Sequence, residues 1–254
     1  MDIEHAADTL WAGIRRGEHM PADWFGRLSL AEGYAVNLAI LRRRIADGDA
    51  QAGWKVGLTA DAMRAQWGIP EPCFGILLRS GHRSSGHRFA FDDLIAPGIE
   101  NELCATIGAT LRGPGVTAAD AARAIASVAP ALEVVEVRGD FSRDLPLAMA
   151  DNAQQKAFVT GADTRFDPAV GLERATVVVR FGDAVRDRAA GAEVMGSPLN
   201  SIAWLANKLA EFGLALEAGM RVMSGSFTRQ HRVARGDAVR ADFEPFGEVL
   251  ARFD

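Results

Sequence analysis

The chain has 254 residues, 48% of them apolar, and a formal net charge of −5. That supports a packed core and excludes the basic footprint of a nucleic-acid binder. The start carries acids early and lacks the basic segment and unbroken apolar run of a secretory signal. Apolar stretches elsewhere break within about ten residues, short of the roughly twenty needed to cross a bilayer, so no membrane partner is expected. Cys73 and Cys104 stand in no metal-ligand spacing and are too few for a disulfide framework, which points to a reducing, cytoplasmic location.

From Ala6 to about Gly48 the apolar residues recur at helical spacing, and Ser29 with Glu32 forms a reciprocal cap at a helix start. Glu32 to Ala46 reads as one amphipathic helix, ending on Arg42, Arg43 and Arg44, where the macrodipole favours cations, ahead of Gly48. After Gly53 short β-favouring runs replace that period, at 53–59, 74–78, 99–111, 131–137, 156–161, 175–182, 221–226 and 238–243. Helices are expected among them at Ala60 to Trp67, Thr117 to Val128 and Pro198 to Phe212. No repeat or linker divides the chain. The expected organisation is α+β, with an N-terminal helical region over 1–52 and a sheet-rich body over 53–254 acting as a single functional unit.

In Ile99-Glu100-Asn101-Glu102-Leu103, strand alternation sends both carboxylates to one face. Adjacent like charges are costly unless solvent or a cation compensates them, and a hard divalent cation is one solution. A solvated strand face is the other. The segment 131–137 is too apolar for a solvated edge, so its acids are paired or functional. Glu133 and Glu136 are an odd number of residues apart and face opposite ways, so at most one joins the first pair. Pattern alone leaves the choice open, with Glu136 also suited to an ion pair with Arg138 or Arg143.

Lys55, in Gly53-Trp54-Lys55-Val56-Gly57-Leu58-Thr59, is either a snorkelling surface lysine or a desolvated ammonium able to act as an acid or an anion clamp beside closely approaching backbone. Asp151-Asn152 is either an ordinary turn or the lining of a site. Ser224-Gly225-Ser226-Phe227-Thr228-Arg229 is either a simple connection or a cradle for an anionic group. The five histidines form no HxxxH or HExxH pattern and are expected at the surface. GxSxG, Walker A and Rossmann glycine motifs are absent, against a serine hydrolase, a P-loop NTPase or a nucleotide-linked dehydrogenase.

Taken together, Ala31-Glu32-Gly33-Tyr34-Ala35-Val36, the segment around Lys55, Phe74-Gly75, Pro97-Gly98-Ile99-Glu100-Asn101-Glu102, Pro130-Ala131-Leu132-Glu133, Ala150-Asp151-Asn152-Ala153, Gly196-Ser197-Pro198, Trp204-Leu205-Ala206, Ser224-Gly225-Ser226 and Gly236-Asp237 resemble the 2-keto-4-pentenoate hydratase and 4-oxalocrotonate decarboxylase branch of the fumarylacetoacetate hydrolase superfamily. The resemblance covers nearly the whole chain. It implies a mixed β-sheet roll with an N-terminal helical region, a homo-oligomer, association with a pathway enzyme, and Mg²⁺ or Mn²⁺ held by Glu100, Glu102 and Glu133. It places the active-site lysine at Lys55 and substrate contacts at Leu78, Ala153, Gln154 and Arg229.

The implied substrate is a small 2-oxo acid from aromatic catabolism, chelated through its keto and carboxylate oxygens, with the metal stabilising the enolate. Hydration of a 2-hydroxy-dienoate or 2-oxo-alkenoate is the leading expectation. Decarboxylation of a 4-oxalocrotonate-like acid and tautomerisation use the same electron sink. A non-catalytic partner subunit is the non-enzyme alternative, against which the three acids and Lys55 argue. The chain departs from the family pattern at Cys73 and around Ser80, where acids are common, and at Gln154, where Ser is common. Without the acid at position 73 the attacking water lacks one carboxylate to orient it.

Overall fold

A computed structural model of the chain describes residues 1–61, 64–65 and 69–254. Half of the helix expected at Ala60 to Trp67 (residues 62, 63, 66 and 67) falls outside these residues.

The N-terminal arm is two helices, α1 (Ile3–Arg15) and α2 (Leu30–Ala46), joined through a 3-10 turn at Ala22–Trp24. Asp2 caps α1 by accepting from the His5 N–H. The expected Ser29–Glu32 capping box is present on α2, each side chain satisfying the other residue's backbone N–H. Helix α2 packs on α1 and on a short later helix.

The body contains two mixed sheets. The larger holds β1 (Gln51–Gly57), β2 (Cys73–Leu78), β3 (His82–Ser84), β5 (Pro97–Ile107), β6 (Ile125–Glu136), β7 (Gln155–Thr160), β8 (Thr164–Arg165), β11 (Arg221–Met223) and β12 (His231–Arg232). Its main order is β2-β1-β11-β5-β6-β7-β3, with β12 on β5 and β8 on β6. The smaller sheet runs β10-β9-β13-β14-β4, from β4 (His87–Phe89), β9 (Thr176–Phe181), β10 (Ala184–Ala190), β13 (Ala238–Glu244) and β14 (Gly247–Phe253). Strands β13 and β14 pack against β6, closing the roll. Among the described residues the α-helices of the body include α3 (Ala118–Ala124), α4 (Leu145–Ala150), which is the partner of α2, and α5 (Pro198–Ala210).

Two expectations change. The helix at 117–128 ends at Ala124, because Ile125 enters β6 and pairs with β5, whose ladder outweighs the local alanine content. The histidines are not all at the surface: His19 bonds Asp151 at 3.0 Å, His82 stacks on Phe158 and bonds Thr160 at 2.8 Å, and His231 lies 3.4 Å from Asp187. One large core runs from α1 through both sheets, and a second small cluster of Leu77, Cys104, Ala131, Phe158 and Met223 lines one face of the larger sheet.

Candidate active site

The antiparallel register of β5 and β6 sets Glu100 directly opposite Glu133 and Glu102 opposite Ala131. Both strands are interior, so the pleat carries Glu100, Glu102 and Glu133 to one buried face, where one oxygen from each lies within 4.8 Å of the others. Glu102 and Glu133 are wholly buried and Glu100 is half-buried. Glu136 faces the other way and takes bonds from Arg138 (3.0 Å), Lys156 (3.2 Å) and the Ile95 N–H (3.0 Å). Of the two acids on β6, tertiary pairing therefore brings Glu133 to the cluster.

Donors are scarce around the three acids. The Gly225 N–H donates to Glu102 Oε2 at 2.8 Å, and Lys55 Nζ forms an ion pair with Glu133 Oε1 at 3.5 Å. Among the described residues, none donates a hydrogen bond to Glu102 Oε1 or to either oxygen of Glu133. Burial pushes the Glu133 carboxyl up to about 7 against the pull of Lys55. Glu102 is held well above the carboxylate range by burial, then by Glu133 and Glu100, and Glu100 is also raised by burial. Three carboxyl groups, two wholly buried and one half-buried, crowded together and short of partners, are a costly arrangement in an apolar interior. They fit a hard divalent cation, whose ligands are oxygens and whose charge would relieve the crowding.

Lys55 is only 4% exposed, which removes the snorkelling alternative. Burial alone would favour its neutral form, but Glu133, Cys73, Glu100 and Glu102 outweigh burial and hold the ammonium charged. Its room comes from two glycines on the same sheet face. A Cβ on Gly57 would sit 3.1 Å from Lys55 Nζ, and one on Gly75 3.1 Å from Lys55 Cε and from the Asn152 carbonyl oxygen. Gly57 was legible as a flanking residue; Gly75 arrives only through the β1–β2 register, opposite Lys55 itself.

A cavity of about 140 Å³ opens beside Lys55 and Glu100. Leu58, Val135 and Phe141 give it apolar walls, and Cys73, Ala153, Gln154 and Gln230 complete it. Cys73 is a free, buried thiol pushed up to about 11 by burial, despite Lys55. Ala153 and Gln154 reach the cavity through three successive residues in the left-handed region, Asn152 (φ 57°), Ala153 (φ 48°) and Gln154 (φ 61°). Such backbone persists only when its surroundings over-determine it. Here the Asn152 side chain accepts from the Ile76 N–H at 2.7 Å and donates to the Ile76 carbonyl at 3.0 Å, and Arg138 grips the Asp151 carboxylate and carbonyl, both at 2.7 Å. Gln154 Nε2 donates to the Gly139 carbonyl at 2.8 Å.

Two residues with expected substrate contacts lie elsewhere. Leu78 alternates to the opposite side of the sheet and lines a different cavity. Arg229 is 75% exposed and nearest to Asp187, at 3.9 Å, while its neighbour Gln230 lines the cavity. The segment before it is no open cradle: Ser224 donates to the Leu103 carbonyl, Ser226 accepts from the Asn101 N–H, and Thr228 accepts from the Asn101 amide. Its contribution is the Gly225 N–H, a donor that side-chain reading could not single out.

Residues 81–254 match the sequence profile described as fumarylacetoacetate (FAA) hydrolase C-terminal, well over half of the chain. The chain belongs to the fumarylacetoacetate hydrolase family. Over 236 residues it is 35% identical to 4-oxalocrotonate decarboxylase of Pseudomonas putida, covering 92% of this chain and 89% of that one. It is 32% identical to 2-oxo-hept-4-ene-1,7-dioate hydratase of Escherichia coli, covering 90% and 88%. Among solved structures it resembles 4-oxalocrotonate decarboxylase from Pseudomonas putida G7 complexed with magnesium and adipate, with a TM-score of 0.93, 34% identity, and coverage of 99% of this chain and 97% of that one. Its mixed sheets and N-terminal helices are those of this family. No helix among the described residues is long and apolar enough to cross a membrane.

Proposed function

We propose that this family member is a divalent-metal-dependent hydratase that adds water to a small 2-oxo-alkenoate or its 2-hydroxy-dienoate form. The observation that carries the reading is the trio Glu100, Glu102 and Glu133, with unpartnered buried oxygens, beside the buried ammonium of Lys55. Glu100, Glu102 and Glu133 would hold Mg²⁺ or Mn²⁺. A bound divalent cation supplies positive charge where negative charge develops on the keto oxygen of a 2-oxo acid.

Lys55 Nζ, charged and fixed by Glu133, adds a second positive group on the same side and carries the proton that the substrate carbon can take up. Leu58, Val135 and Phe141 give that transfer apolar walls, next to which a charge interaction is stronger than in water. Ala153, Gln154 and Gln230 would border the substrate, and a volume of about 140 Å³ restricts it to a small acid. Hydration then places a hydroxyl on the far alkene carbon and a proton on its neighbour. Adding a panel of 2-hydroxy-dienoates to the purified protein with Mg²⁺ or Mn²⁺ should bleach their ultraviolet absorbance. Unchanged absorbance across the panel overturns the reading.

A second reading, decarboxylation of a 2-oxo acid, is favoured by Cys73. Among the described residues the cavity is lined by no carboxylate beyond Glu100, and a thiol pushed up to about 11 is a poor base for activating water. Loss of carbon dioxide needs no such base. Carbon dioxide release without water incorporation from a 4-oxalocrotonate-like acid would select it.

A further inference from the structure

The larger sheet has a second concave side. Leu78, Glu136 and Ala157 alternate away from the face that carries Leu77, Glu133 and Phe158, and they line a cavity of about 610 Å³ between the helical arm and the sheet. That volume is in the range of small-molecule sites.

Positive charge in this cavity exceeds negative charge. Arg44, Arg83, Arg88, Arg138 and Lys156 line it, against Asp93, Glu136 and Asp151. Pairing accounts for part of the set. Glu136 takes Arg138 and Lys156, Asp151 takes Arg138 and His19, and Arg88 turns to Asp254. Asp93 is exposed at the rim.

What is left is cationic. The Arg44 guanidinium lies over Trp11 at 4.7 Å and has no carboxylate within ion-pair distance among the described residues. Among the described residues Arg83 donates only to the backbone carbonyls of Ser80 and His82, at 2.8 and 2.7 Å. Gln155, 5% exposed, also lines the cavity; its Oε1 accepts from Asn152 Nδ2 at 3.4 Å, and its Nε2, itself buried, has no hydrogen-bond partner among the described residues. A buried amide donor left unpaired is unfavourable unless something accepts from it. Burial, then Arg138, holds the Arg44 guanidinium below its usual range, against the weaker opposing pull of Asp151 and Asp49.

We propose that this cavity is a second binding site, for a small oxyanion bearing a carboxylate or phosphate group, held by Arg44 and Arg83. Guanidinium groups suit both anions through bidentate hydrogen bonds. The wall behind such a ligand is the active-site loop itself: Arg138, Asp151 and Asn152 line the rear cavity, while the next residues, Ala153 and Gln154, line the front one. The site is therefore placed to couple to the substrate pocket through that strained turn.

Calorimetric titration of the Mg²⁺-loaded full chain with inorganic phosphate, and separately with succinate, tests the site and distinguishes the two chemistries. One or both should bind wild type. Arg44→Met and Arg83→Met should each weaken that binding about tenfold, the worth of one charge-assisted hydrogen bond, with turnover in the absence of the anion unchanged. Succinate in the front pocket would instead be insensitive to both substitutions and lost in Lys55→Met. Absence of binding by either anion, or wild-type affinity in both arginine variants, overturns the proposal. Should Arg44→Met lose its fold along with the Trp11 contact, seen as a lowered melting temperature, Arg83→Met decides alone.

Discussion

Stripping metal from the protein should make its stability fall as pH rises, the reverse of ordinary acid denaturation. Glu133 has a carboxyl raised from 4.5 to about 7 in the folded, metal-free chain. Between those two values the folded state binds a proton that the unfolded state has already released. Stability is thus fully present below pH 4.5 and is lost as pH climbs through about 7. At roughly 1.4 kcal/mol per pH unit the interval amounts to about 3 kcal/mol from Glu133. Glu100 and Glu102 are raised as well and act in the same direction. Urea unfolding of chelator-treated protein at fixed concentration between pH 5 and 8 measures the slope. Mg²⁺ should flatten it, and Glu133→Gln should remove about 3 kcal/mol of the change. A chelated wild type whose stability is level or rises over that range would show that the three acids are not the strained cluster described.

Glu102→Gln should weaken divalent-metal affinity about a hundredfold or more, since even outer partners of a site are worth 10 to 100-fold, measured by competition with a chelating dye. Lys55→Met should keep metal binding yet lose turnover by about 10² to 10⁴-fold, the usual worth of a positioned acid–base group. Gly225→Ala forces a φ of 108° on a residue with a Cβ, which would lie 2.5 Å from Thr59 Cγ2. It should cost about 1–3 kcal/mol and, by moving the donor to Glu102, weaken metal affinity in the same titration. Arg138→Leu leaves Glu136 and Asp151 buried without their guanidinium, and should lower unfolding free energy by about 3–5 kcal/mol. An unchanged denaturation midpoint would contradict the role given to that network in holding residues 151–155.

Local chemistry in the sequence determined the helical arm, the capping box at Ser29 and most of the longer strands of the body, because capping and periodicity act over a few residues. It missed β10, which is charged and lies at the sheet edge, β14, whose Gly247–Phe253 run follows β13 directly, and the two- and three-residue strands β3, β4, β8 and β12, whose pairing depends on partners far along the chain. At the site, alternation put Glu100 and Glu102 on one face, and the family motifs pointed to Glu133 and Lys55. Tertiary structure decided the rest. The β5–β6 register chose Glu133 over Glu136, the β1–β2 register set Gly75 against Lys55, and the β11 connection aimed the Gly225 N–H at Glu102. It also carried Leu78 and Arg229 away from the small cavity. A strand residue's face follows from its own parity, but what stands opposite follows from register, which a single segment does not contain.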